Sequence, residues 1–338
     1  MLLCSISVEL FRWFSMNSSS PKYDYPICYR NDTQTQWVPA GLEYFFGITG
    51  NIIAFILLWI NRREHQWFSF FKLFTGLVIT DFMGIFLVYP FVMHRYATHF
   101  KWCYPKPLCQ FTSFVFVDAH LSAALIICAM SVDRFMHLRN SVFITNRNYT
   151  LILIGIWILS SLISCLHLIG VGRSNMYFPG SWCYFDFIDD TTGNRVMAYL
   201  YSIIGFLIIL GTLTINTLTM YRICRDPVQR GNLLDTSVVS GFYDSHVIIF
   251  ISAVTVVFVF LWTPLVVDIF LHALNLRNNE NNEIELWLLR LTVLNAIIDP
   301  WLYIVLRKES LRKIVEIYHK CRGSKELRSM NETDALLL

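Results

Sequence analysis

The side chains best placed to do chemistry in this chain are ionisable or amide groups set inside long apolar runs. Arg290 lies in the stretch Ile284-Glu-Leu-Trp-Leu-Leu-Arg290-Leu-Thr-Val-Leu-Asn295-Ala-Ile-Ile-Asp299-Pro-Trp-Leu-Tyr303, which is apolar enough to cross a bilayer. A guanidinium at that depth costs about 2.5–3.5 kcal/mol on insertion scales, so something must compensate it. A lipid-like carboxylate ligand would do so. Two other accounts are an internal partner, with Asp268 the candidate, and snorkelling of the side chain outward. Asp81, Asn51, Asn295 and Asp299 form a second polar set, suited to holding water or a sodium ion between helices. Asp133-Arg134 closes a third apolar run, where an acidic neighbour can pair with the arginine.

Catalysis and metal binding find little support. His120, His167 and Cys165 do not make a convincing nucleophile–base set. There is no phosphate loop, His-Glu-x-x-His sequence or metal-ligand cluster, and nothing suggests nucleic-acid binding. A transporter or channel would also use intramembrane Arg and Asp residues, but no internal repeat is evident.

These residues need long apolar elements to hold them. Of 338 residues, 55% are hydrophobic and only 15% charged, against the roughly 25% charged of an ordinary soluble protein. Seven runs reach the ~20 residues that a crossing requires: 39–60, 70–94, 108–135, 149–171, 196–223, 245–274 and 285–306. The expected fold is therefore an all-α, seven-helix membrane bundle. It is preceded by an N-terminal segment, 1–38, and followed by an amphipathic helix, 307–320, and a tail, 321–338. Leu311, Ile314, Val315 and Tyr318 recur at helical spacing in that amphipathic stretch, opposite a basic face that suits the inner membrane surface.

Lys and Arg are about twice as numerous on one side of these spans as on the other, which puts the N-terminus outside. Asn17 and Asn31 head glycosylation sequons in that outer segment. Residues 1–14 are apolar, but Glu9 and Arg12 interrupt them and no small-residue cleavage site follows. Cys109 and Cys183 fall on the outer face, where a disulfide is permitted, and Cys28 with Cys103 is a second candidate pair.

Asn51, Asp81, Cys109, Asp133-Arg134-Phe135, Trp157, Trp262-Thr-Pro264 and Asp299-Pro-Trp-Leu-Tyr303 occur in this order, each on its own span. Together they resemble the rhodopsin-like (class A) G-protein-coupled receptors over about residues 39–320. The resemblance implies a plasma-membrane receptor coupled to a heterotrimeric G protein and to arrestin. It also implies a Cys109–Cys183 disulfide, a sodium pocket around Asp81, and activation through Asp133, Arg134, Trp262, Pro264, Asp299 and Tyr303. Asp-Arg-Phe stands here for the family's usual Glu/Asp-Arg-Tyr, and Asp-Pro-Trp-Leu-Tyr for Asn-Pro-x-x-Tyr.

An amine ligand would need an Asp where this chain has Phe116; Asp118 lies about 200° further round the helix. Retinal would need a Lys in the seventh span, and residues 285–306 contain none. Two stretches look instead like the prostanoid receptors: Pro179-Gly-Ser-Trp-Cys183 in the second outer loop, and Arg290 followed by Asn295 and Asp299-Pro-Trp301. Ile126-Ile-Cys-Ala-Met-Ser-Val-Asp-Arg134 and Leu306-Arg-Lys308 are similar to the subtype-4 prostaglandin E2 receptor, Gln36-Trp-Val-Pro39 to its subtype-2 relative, and Val171-Gly-Arg173 to the thromboxane receptor. The resemblance implies that Arg290 binds the carboxylate of a prostaglandin, with Tyr96 and Ser181 contributing hydroxyls. Trp182 and Phe178 would lid the pocket. Val293 replaces a serine often found near the ligand's hydroxylated chain. Prostaglandin E2 and Gs, with a rise in cyclic AMP, are the expected ligand and output. A thromboxane-type receptor coupling to Gq or Gi, and a non-signalling prostanoid binder, are the alternatives.

Overall fold

The computed structural model describes residues 37–60, 69–138, 146–225, 239–277 and 282–306. Seven helices account for most of them: α1 Val38–Ile60, α2 Ser69–Ala97, α3 Lys106–Leu138, α4 Asn146–Cys165, α5 Thr192–Arg225, α6 Val239–Ala273 and α7 Asn282–Leu306. Each contains a stretch long and apolar enough to cross a membrane. The helical choice follows from the solvent. Without water to satisfy backbone N–H and C=O groups, a spanning segment must bond to itself. Pro90, Pro264 and Pro300 nevertheless lie inside α2, α6 and α7. Such positions are tolerated in a bundle because neighbours take up the freed backbone groups.

Burial ranks the helices. α3 is central, with 61% of its apolar window buried, and α4 is peripheral, with 22%. The exposed faces remain apolar: Ile52, Ile56, Leu162, Leu207 and Phe260 all point outward, as lipid-facing surface should. One boundary departs from expectation. The fourth apolar run extends to 171, but α4 ends at Cys165 and the chain turns through 166–170. The run is apolar because this turn packs against the bundle, as buried His167 and half-buried Leu166 show.

The connection from α4 to α5 holds an element that hydropathy does not reveal, an antiparallel hairpin. Strand β1 is Ser174–Tyr177 and β2 is Trp182–Phe185, paired from Ser174 with Phe185 to Tyr177 with Trp182. Gly180 turns the chain at φ +93°, a left-handed conformation that favours glycine. All four β2 residues are buried, so the hairpin is a plug and not a surface loop. Cys183 is bonded to Cys109 at the start of α3, which ties the plug to the central helix.

α2 and α3 approach closely at Gly84, where an added Cβ would lie 2.8 Å from the Ala119 Cβ. Neither atom belongs to a flexible side chain, so the helices would have to separate. Gly84→Val is expected to destabilise the bundle by about 1–3 kcal/mol, read as a lower melting temperature of the detergent-solubilised protein. An unchanged melting temperature would show that this contact is not tight.

Candidate functional site

Arg290 stands two turns into α7 and is only 6% exposed. Three other elements meet it. From α2, which places Tyr89 and Tyr96 one heptad apart on the same face, the Tyr96 hydroxyl lies 3.5 Å from Arg290 Nη2. The hairpin turn brings Ser181, whose Oγ is 3.5 Å from the same Tyr96 oxygen. From α1 comes Glu43, with Oε1 4.0 Å from Arg290 Nε. The other carboxylate oxygen of Glu43 accepts a 2.8 Å hydrogen bond from Tyr89. Trp287, one turn earlier on α7, offers its ring face to the guanidinium at 5.5 Å. Arg290 Nε is buried and has no hydrogen-bond acceptor. The charge is therefore balanced while hydrogen-bonding capacity remains open.

Trp182 roofs this space. It is fully buried, edge-on to Tyr89 at 5.3 Å and tilted against Phe116 at the same centroid distance. Phe178 is half-buried in the hairpin turn and packs against the core. Val293, one turn below Arg290, is buried. Arg290, Tyr96, Ser181 and Trp182 thus converge from α7, α2 and the hairpin. Asp118 turns the other way and accepts hydrogen bonds from Ser160 and Ser161 of α4 at 2.8 and 3.1 Å.

Two features differ from the sequence reading. Asp268 is not the partner of Arg290. It pairs with Arg277, and His272 Nε2 lies 3.9 Å from it. That nitrogen is equally distant from Glu285. The missed residue is Glu43. Four positions inside the expected start of the first span, it reads as an interfacial charge, whereas the helix carries it inward to 8% exposure. The available signal was an apolar frame, Pro39-Ala-Gly-Leu-Glu43-Tyr-Phe-Phe46, at a depth comparable to that of Arg290.

Deeper in the bundle lie the other polar groups. Asn51 donates to the Gly47 and Ala296 carbonyls at 2.9 and 3.0 Å, bridging α1 to α7. Asp81 and Asp299 are buried, and Asp81 Oδ2 and both Asp299 oxygens lack protein hydrogen-bond partners, as does Asn295 Oδ1. Unpaired carboxylate oxygens in an apolar bundle fit a bound cation or water. Trp262, two residues before Pro264, stacks on Phe258 at 5.2 Å and meets Tyr201 edge-on at 6.1 Å. Tyr303 packs on Phe74 at 4.9 Å.

The end of the bundle opposite the hairpin carries a charge clamp. Arg134 Nη2 and Nε reach Asp133 Oδ2 at 2.7 and 3.0 Å, both groups being nearly sealed from solvent. Tyr149 of α4 donates to the remaining Asp133 oxygen. Arg134 also lies over the Phe70 ring at 5.2 Å. Cys103 is disulfide-bonded; its candidate partner Cys28, the sequon residues Asn17 and Asn31, the amphipathic helix 307–320 and the tail lie outside the described residues.

The seven-helix bundle thus carries a buried arginine at one end and a closed Asp–Arg pair at the other, and its relatives give the class, a transmembrane receptor and not an enzyme. Residues 50–303 match the family model for the 7 transmembrane receptor (rhodopsin family), and the chain belongs to that family. Among its relatives are prostanoid receptors. It is 28% identical to the human (Homo sapiens) prostaglandin E2 receptor EP4 subtype, over 86% of this chain and 69% of that one. It is also 28% identical to the human thromboxane A2 receptor, over 79% and 82% of the two chains. Identity to the rabbit (Oryctolagus cuniculus) prostaglandin E2 receptor EP3 subtype is 27%, over 83% and 75%. The crystal structure of squid rhodopsin shares the fold, with a TM-score of 0.71, 15% identity and 88% and 92% coverage.

Removing Arg277 would strand the Asp268 carboxylate, 2% exposed, with only His272 near it among the described residues. Arg277→Ala should therefore destabilise by about 3–5 kcal/mol, the usual cost of breaking a buried pair from one side. Adding Asp268→Asn should restore much of the loss. Melting temperatures of the single and double variants test this, and an additive double variant would refute the pairing.

Proposed function

We propose that this chain is a plasma-membrane prostanoid receptor, with prostaglandin E2 as the leading ligand, that activates Gs and raises cyclic AMP. The observation that carries the reading is Arg290, a buried guanidinium beside Tyr96 and Ser181 and beneath Trp182, in a chain whose relatives are named as prostaglandin E2 receptors. A guanidinium with open donors in a poorly hydrated space favours the carboxylate of a lipid ligand, and an Arg–carboxylate pair there is strong and directional. The apolar surroundings, including Val293 and Phe116, suit a lipid chain.

Signalling follows from the opposite end. The Asp133–Arg134 clamp holds the resting state, and a ligand shifts the equilibrium only by binding the active state more tightly. With the N-terminus outside, the hairpin and its disulfide face the oxidising side, and Arg134 with the basic connections faces the G protein and arrestin. Residues 307–320 lie along the inner leaflet in this reading. A sodium ion held by Asp81 and Asp299, near Asn51 and Asn295, would neutralise the buried carboxylates in the resting receptor. Asn17 and Asn31 would carry glycans, and Cys28 would pair with Cys103.

Cells expressing the chain are expected to raise cyclic AMP when given prostaglandin E2 from a panel of prostanoids. Arg290→Ala should weaken the response by about thirtyfold or more, as truncating a buried charged partner does, with surface expression unchanged. Calcium release or cyclic AMP inhibition in place of a rise would move the coupling to Gq or Gi. Silence in all three readouts, with no prostanoid bound, would reject the ligand class.

A further inference from the structure

A second set of polar groups lies one aromatic ring beyond Trp182. Trp182 packs on Phe116 at 5.3 Å. Phe116 in turn meets the His120 ring at 5.2 Å and the Tyr184 ring at 6.3 Å. Tyr184 meets Tyr201 edge-on at 6.3 Å, and Tyr201 meets Trp262 at 6.1 Å. Four elements contribute one residue each: His120 from α3, Tyr184 from β2, Tyr201 from α5 and Trp262 from α6. Tyr184, Tyr201 and Trp262 are nearly sealed from solvent.

Packing alone does not account for these residue types. Phenylalanine would fill the space of either tyrosine without a polar atom to satisfy. Yet the Tyr184 and Tyr201 hydroxyls, Trp262 Nε1 and His120 Nδ1 are all buried without a hydrogen-bond partner. The Tyr201 hydroxyl is near enough to Tyr184 and Trp262 to interact with both, but none of the three completes a bond at full hydrogen-bond geometry. Leaving a buried polar group unsatisfied is costly, and four such atoms in one cluster call for a shared polar partner. Tyrosine hydroxyls donate and accept, an indole N–H only donates, and a neutral imidazole offers one of each. The group that suits so mixed a set is an alcohol, which also donates and accepts. A carboxylate would find no arginine or lysine in the set.

Helix α7 leaves this task open. Val293, one turn below Arg290, is buried and apolar. Its neighbour Thr292 donates its hydroxyl to the Leu289 carbonyl at 2.7 Å. A hydroxyl on a lipid chain must therefore find its donor elsewhere. Building on the prostanoid reading of the Arg290 site, we infer that Tyr184 and Tyr201, with His120 and Trp262, form a subsite for a hydroxyl group on the apolar chain of the lipid. Arg290 holds the acid head, and this cluster recognises the alcohol from α3, α5, α6 and the hairpin.

The test uses the full chain purified into nanodiscs, with two probes: prostaglandin E2 and its analogue lacking the chain hydroxyl. The wild type is expected to bind prostaglandin E2 about tenfold more tightly than the deoxy analogue. Tyr201→Phe removes one oxygen and keeps the ring. It should weaken prostaglandin E2 about fivefold or more and move the deoxy analogue by less than about twofold. Tyr184→Phe should do the same. Equal wild-type affinity for the two probes would overturn the inference and leave the prostanoid reading intact. A wild-type preference that survives in both variants would overturn it as well, since the hydroxyl would then be bound elsewhere. An equal loss of both probes would show that the tyrosines only support the fold, and would also overturn it. Should one variant not fold, the other and the wild-type ratio decide. If neither probe binds a wild-type protein that melts cooperatively, the prostanoid reading falls, and the inference with it.

Discussion

An ionised side chain inside an apolar bundle is tolerated only where opposite charge or hydrogen-bond partners meet it, and in this chain that need is met by helices far apart in sequence. Arg290 on α7 is balanced by Glu43 on α1, and Glu43 is held in turn by Tyr89 on α2. Asn51 on α1 reaches the α7 backbone at Ala296. Helices α1, α2 and α7 thus share one polar seam. Hydrophobic matching to lipid would not specify their rotation, because lipid tails are as apolar as the helix faces. Polar contacts of this kind select one arrangement among many that bury similar area.

The hairpin shows how a connection becomes part of a site. A pair of four-residue strands is too small to be stable alone. Here it is bonded to α3 through Cys183 and Cys109, and its aromatic residues pack into the helix bundle. Trp182 is the joint between the two, in contact with both Tyr89 and Phe116. Arg290 is itself buried, 6% exposed, and low local dielectric strengthens electrostatic interactions there.

The two ends of the bundle are linked through groups whose bonding is incomplete. Asp81, Asn295 and Asp299 keep buried oxygens without protein partners, while Asp133 is satisfied on both sides by Arg134 and Tyr149. The Asp133 carboxylate needs no further partner. An unsatisfied core is one that a small rearrangement, an ion or water can tip. Asp81 and Asp299 lie on α2 and α7, the helices that also carry Tyr96 and Arg290.

The seven spans, the buried arginine and the Asp–Arg pair were legible in the sequence because each is a local statement. A span is about twenty apolar residues, and a charge within one must be explained whatever surrounds it. Even Asp118 was correctly turned away from Phe116, since helical rotation follows from spacing. What could not be read is what meets what. That Asp268 pairs with Arg277, that Glu43 faces Arg290, and that residues 174–185 fold as a buried hairpin depend on which helix ends lie side by side. Composition alone determined that this chain lives in a membrane as a helical bundle with an arginine to be neutralised. Only the tertiary structure decided its neighbour, because a charge pair is set by distance in space, and the two members here lie on the first and last helices of the bundle.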